Sequence, residues 1–145
     1  MTPTTSPPAL ASTTARPPAR WPYWLVTGLL VAFIVLGALF DVLKHPDAVA
    51  TIKHLGYPEY FVRYIGLLKL LGVAAVLLPG RPRLKEWAYA GLFFDTTGAL
   101  YSAVATGDAP LTWLPALVGV TLTLGSYYAY HRWVAALPHP SSSLI

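Results

Sequence analysis

The chain has 145 residues, of which 55% are hydrophobic and only 11% charged, and its formal net charge is +4. With a mean hydropathy of +0.53, this balance belongs to the membrane class, and the length allows one small bundle and no second domain of ordinary size. The basic residues gather at helix ends, which reads as membrane topology rather than nucleic-acid affinity. The lack of cysteine excludes disulfides, thiol redox chemistry, cysteine-ligated iron–sulfur clusters and c-type haem attachment.

Residues 1–20 are rich in Pro, Thr, Ser and Ala, with Arg16 and Arg20 their only charges, and are expected to form a disordered tail. Trp21, Tyr23 and Trp24 then bring aromatics to an interface, and Leu25 to Phe40 is uncharged, which predicts a first membrane helix over about 23–40. That run is longer than a signal-peptide core, and Ala48-Val49-Ala50 lies well beyond it, so the helix is expected to be retained rather than cleaved. Asp41 to Glu59 reads as a loop. Within it Pro46 suits a helix start, Gly56 a stop, and Val49, Ile52 and Leu55 recur at helical spacing, so a short amphipathic helix is expected on the membrane surface. Glu59 follows Tyr57-Pro58 and complements the positive end of a second membrane helix over about 60–78.

A basic hairpin with Arg81, Arg83 and Lys85 separates this helix from a third, over about 87–105. Thr106 to Pro110 reads as a turn, and an uncharged fourth helix over about 111–130 closes on Tyr127, Tyr128, Tyr130 and Trp133. The membrane domain thus spans 21–135, and 136–145 is expected to be a disordered tail. The fold class is all-α: an integral membrane four-helix bundle with a short interfacial helix between its first two spans. Arg16, Arg20, Arg81, Arg83, Lys85 and Arg132 oppose Lys44, Lys53 and Arg63, which places both termini in the cytoplasm. His45, His54, His131 and His139 all fall outside the apolar cores, with no compact ligand spacing, so no metal site is expected.

Two charges stand within the apolar runs. Measured from the hairpin, Lys69 lies about 15 Å deep and Asp95 about 13.5 Å, at 1.5 Å rise per residue. Both depths fall near the middle of a core about 30 Å thick, at matching heights on adjacent antiparallel helices. An ion pair between Lys69 and Asp95 is therefore the natural expectation. Ala88, Gly91, Gly98 and Ser102 form a small-residue seam with Asp95, while Gly66 and Gly72 flank Lys69. Small residues let membrane helices approach, so Gly66, Gly72, Gly91 and Gly98 read as packing positions, with Glu59 and Ser102 as supporting polar groups. The pair serves either as a structural device that fixes helix register or as a polar site for a proton, a quinone headgroup or another polar ligand.

Leu55-Gly56-Tyr57-Pro58 at a helix entrance, then Gly66-Leu67-Leu68-Lys69-Leu70-Leu71-Gly72, resembles the DoxX-like family of small bacterial membrane proteins. So do Leu84-Lys85-Glu86-Trp87-Ala88-Tyr89-Ala90-Gly91, Phe94-Asp95, Gly98-Ala99 and Gly107-Asp108. The resemblance covers residues 41 to 108 by motif and extends to Tyr130 by layout. It implies a four-helix bundle in the bacterial inner membrane, with the lipid bilayer and a partner membrane or redox protein as its surroundings. The family's namesake looks like a subunit of a thiosulfate:quinone oxidoreductase, so the cofactor implied is a quinone. Most DoxX-like proteins have no established activity, and fold similarity does not carry function with it. Three functions therefore stay open: a quinone-linked or redox-accessory membrane subunit, a non-catalytic scaffold, and a small-solute or proton carrier that works as a homo-oligomer.

Overall fold

A computed structural model of the chain describes residues 20–137. The tails expected over 1–20 and 136–145 lie largely outside these residues. All regular structure in the described part is helical: α1 (Trp21–Val42), α2 (Pro46–His54), α3 (Tyr60–Leu77), α4 (Pro82–Ala105) and α5 (Pro110–Ala135). Proline stands in the first turn of α1, α2, α4 and α5, where its missing N–H is no loss and its fixed φ favours the helix. The turn between α3 and α4 needs a left-handed residue, which Gly80 supplies at φ 74°.

The four long helices pack in a ring: α1 against α3 and α5, and α4 against the same two, with α2 resting on α3 and α1. Lys85 meets Tyr23 and Glu86 meets His131 at one end of the ring, while His54 meets Asp108 at the other. The starts of α1 and α4 and the ends of α3 and α5 therefore share the first end, and neighbours in the ring run antiparallel. The core is a column of Tyr23, Leu30, Ile34, Val73, Val76, Tyr89, Leu92 and Tyr130. Large apolar side chains also cover the outside, among them Leu36, Leu71, Phe94 and Leu124. An apolar exterior of this extent marks a surface that meets lipid or protein rather than water.

Two helices among the described residues, α1 and α3, are long and apolar enough to cross a membrane. In α4 the sequence carries Arg83, Lys85, Glu86 and Asp95, and in α5 it carries a scatter of Thr, Gly and Ser, which lowers their hydropathy.

Three boundaries differ from the sequence reading in ways that matter. Helix α1 runs on to Val42, so Asp41 belongs to its last turn and not to the loop. Helix α4 starts at Pro82, which puts Arg83, Lys85 and Glu86 on the helix and leaves only a tight turn where a basic hairpin was expected. Helix α5 continues to Ala135, a full turn past Tyr130.

Candidate functional site

On α1 the buried residues are Tyr23, Thr27, Leu30, Ile34, Ala38 and Asp41, a stripe with steps of three and four. Asp41 is thus the last member of a core face. Opposite it, α3 presents Gly66, and a Cβ there would lie 2.7 Å from the Asp41 Cβ and 3.0 Å from the Ala38 carbonyl oxygen. This contact brings the two backbones close enough for Lys69, one turn further along α3, to reach α1. The Lys69 Nζ donates to Asp41 Oδ2 at 2.9 Å and stands 3.9 Å from Asp95 Oδ2. The three side chains are 22%, 12% and 15% exposed, respectively for Lys69, Asp41 and Asp95.

The expected partner of Lys69 is therefore its second one. Asp95 lies within ion-pair range but beyond hydrogen-bond length, and the short contact belongs to Asp41. The site is a trio with a formal charge of −1, drawn from three helices. Lys69 carries three N–H donors, of which Asp41 takes one, while Asp95 at 3.9 Å attracts the charge without a hydrogen bond.

Beside the trio, α3 and α4 part to leave a cleft of about 570 Å³. Leu68, Leu71 and Gly72 form one wall and Trp87, Gly91 and Phe94 the other, with Lys69 and Asp95 the charged groups along it. Trp87, Phe94 and Leu71 are all more than 60% exposed, so the cleft opens on the outer face of the bundle. Its size falls within the range of about 300–1,000 Å³ typical of small-molecule sites, and its apolar walls with few polar groups match their chemistry.

The other residues singled out by sequence are scattered. Glu59 stands just before α3 and makes no side-chain capping bond; Lys53 at 2.8 Å and Lys44 at 3.3 Å hold it. Those two ammonium groups, Lys53 first, keep its carboxyl below the usual range. Ser102 lies two turns from Asp95, donates to the Gly98 carbonyl and meets the Tyr57 hydroxyl at 3.0 Å. Neither joins the trio. Among the four glycines, Gly66 and Gly72 sit at close approaches, to α1 and to Leu92 of α4, whereas a Cβ at Gly91 or Gly98 would meet nothing within 4 Å. The seam through Asp95 is therefore not a helix contact at those two positions; at Gly91 it is part of the open cleft. Gly119, where a Cβ would lie 2.9 Å from Thr96, is a packing glycine that the stepping rule missed.

A second polar cluster occupies the other half of the bundle. Lys85 is buried, donates to the Tyr23 hydroxyl at 3.2 Å, and lies 5.2 Å from the Tyr130 ring centre. Nearby, Ser126 joins the Thr27 hydroxyl at 2.7 Å and the Tyr89 hydroxyl at 2.8 Å. Two signals were available: Pro82 opens the helix before Lys85, and the inward stripe of Leu92, Tyr89 and Ala88 steps back by three and four onto it. At the trio's end of the bundle, His54 meets Asp108 at 2.6 Å and ties α2 to the turn after α4. Among the described residues no group of three or more His, Asp or Glu side chains is placed to hold a metal ion.

The sequence model of the DoxX-like family matches residues 25–125, a span that contains the trio and the cleft. No curated protein and no solved structure matches the chain.

Proposed function

This chain belongs to the DoxX-like family, and from that membership and the cleft beside Lys69 we propose that it is a multi-pass membrane protein that binds a quinone. In this reading all four long helices lie in the bacterial inner membrane, with the ends that carry Arg20, Arg81, Arg83 and Arg132 in the cytoplasm. The observation that carries the reading is the shape of the cleft: apolar walls open on the outer face of the bundle, with one ammonium and one carboxylate along them. A lipid-soluble molecule can enter sideways and bring a hydrogen-bonding head against Lys69. The lysine, held in place by Asp41, donates to a quinone carbonyl, and Asp95 accepts from a hydroxyl when the head is reduced. In this reading the electrons for any reduction of the head come from a borrowed organic cofactor or from a partner's metal.

Thermal unfolding of the detergent-solubilised protein with benzoquinones and naphthoquinones of short tail tests this. The melting temperature should rise with at least one headgroup. Gly91→Leu fills the notch in the α4 wall, where a Cβ meets nothing within 4 Å, so it should fold like the parent and lose the rise. No rise with any headgroup, or an equal rise in Gly91→Leu, would defeat the proposal.

One observation favours a second reading. Lys69 is already satisfied by two carboxylates, so the trio serves equally well as a clasp for α1, α3 and α4. A scaffold of this kind tolerates Gly91→Leu in the cell but not the loss of Lys69, which separates the two readings.

A further inference from the structure

At the other end of the bundle a second cleft, of about 560 Å³, runs between the start of α1 and the end of α5. Pro22, Tyr23 and Val26 line one side, and Tyr128, Arg132 and Trp133 the other. Arg132 lies 5.8 Å from the Tyr128 ring centre, and Arg20, on the residue before α1, lies 5.7 Å from that of Trp133. A guanidinium resting on an aromatic face keeps its N–H edge free to hold two oxygens of an anion in a bidentate fork.

No carboxylate side chain of the protein is left to fill that role. Asp41 and Asp95 share Lys69, Asp47 faces His45, Glu59 faces Lys53 and Lys44, Glu86 faces His131, and Asp108 faces His54. These are all six acidic residues of the chain. Helix α1 has no acidic residue in its first turn. Arg132 itself lines the cleft, Arg20 reaches it through the Trp133 ring, and Val26, Gly125 and Ala129 in the same lining offer an acyl chain an apolar bed.

We infer that this cleft binds an anionic phospholipid, its phosphate between Arg20 and Arg132 and its acyl chain along α1 and α5. Basic pockets between helices at the cytoplasmic face are suited to such headgroups. The inference rests on the membrane reading of the chain but not on the quinone reading of the first cleft.

The test uses the full chain in nanodiscs of equal phosphatidylglycerol and phosphatidylcholine, with retained lipid identified by native mass spectrometry. Each basic residue beside a headgroup favours anionic lipid by about five-fold, so phosphatidylglycerol should be retained over phosphatidylcholine by roughly twenty-five-fold. Arg20→Gln with Arg132→Gln should bring that ratio near unity, while Arg20→Lys with Arg132→Lys, which keeps the charges but loses the bidentate edge, should retain only part of it. Arg83→Gln, exposed at the same end but outside the cleft, should leave it unchanged. Excess glycerol phosphate should not displace the lipid. Equal retention by the parent, a preference that survives the double Gln change, or displacement by glycerol phosphate overturns the inference, the last in favour of a site for free phosphate. A chain that stays outside the nanodisc overturns the membrane reading and this inference with it.

Discussion

Removing charges from the trio one at a time should give an order of stabilities that a simple Lys69–Asp95 pair would not. At an effective dielectric constant of about 20, contacts of 2.9 Å and 3.9 Å correspond to about 6 and about 4 kcal/mol of attraction before desolvation is subtracted. Lys69→Met leaves two carboxylates facing each other with no cation, and breaking a buried pair in this way costs about 3–5 kcal/mol. Asp41→Asn leaves the neutral combination of Lys69 and Asp95 but weakens one charge-assisted hydrogen bond, worth about 1.5–3 kcal/mol. Asp95→Asn keeps the short contact and relieves the net charge, so its cost should stay below about 1.5 kcal/mol. Double-mutant cycles should also show stronger coupling of Lys69 to Asp41 than to Asp95. Reversible unfolding in mixed micelles, followed by circular dichroism, measures all of these. An Asp95→Asn cost equal to or above that of Asp41→Asn, or a Lys69→Met variant as stable as the parent, would refute the geometry.

Gly66→Ala forces a Cβ to 2.7 Å from Asp41 and 3.0 Å from a backbone oxygen, which should cost about 1–3 kcal/mol, whereas Gly98→Ala, facing open space, should be close to neutral in the same unfolding assay. Ser126→Ala strips the Thr27 and Tyr89 hydroxyls of their shared partner and should cost about 1–3 kcal/mol, with Thr27→Ala in the same background restoring part of it. The carboxyl of Glu59 is held low in the folded chain, so its contribution is complete above the ordinary carboxylate range and is lost as pH falls through the lowered value. Acid titration of stability should therefore be shallower in Glu59→Gln than in the parent, and an identical slope would show that the Lys53 and Lys44 contacts do not persist.

The helical layout was legible because long uncharged runs and proline or glycine punctuation fall where the helices begin and end. Asp41 was not, because the apolar run stops at Phe40 and a charge after it reads as loop. Yet the signal was present: from Tyr23 to Ala38 the inward face advances by three and four, and the next step lands on Asp41. Following the face rather than the hydropathy would have found the nearest partner of Lys69. Lys85 was misplaced for a related reason, since three basic residues within five look like a solvated hairpin, while the inward face of α4 through Leu92, Tyr89 and Ala88 steps back onto Lys85. The His54–Asp108 contact joins segments 54 residues apart across the ring, and no local spacing encodes it.

Photolabelling with an azido-quinone addresses the central proposal most directly, because it reports where such a molecule rests rather than whether the protein responds to it. The label should fall on the peptides that carry Leu68–Gly72 and Trp87–Asp95, be competed by unlabelled quinone, and vanish in Gly91→Leu. Label spread evenly over the outer helices, or concentrated between α4 and α5 around Tyr127, would contradict a quinone site beside Lys69.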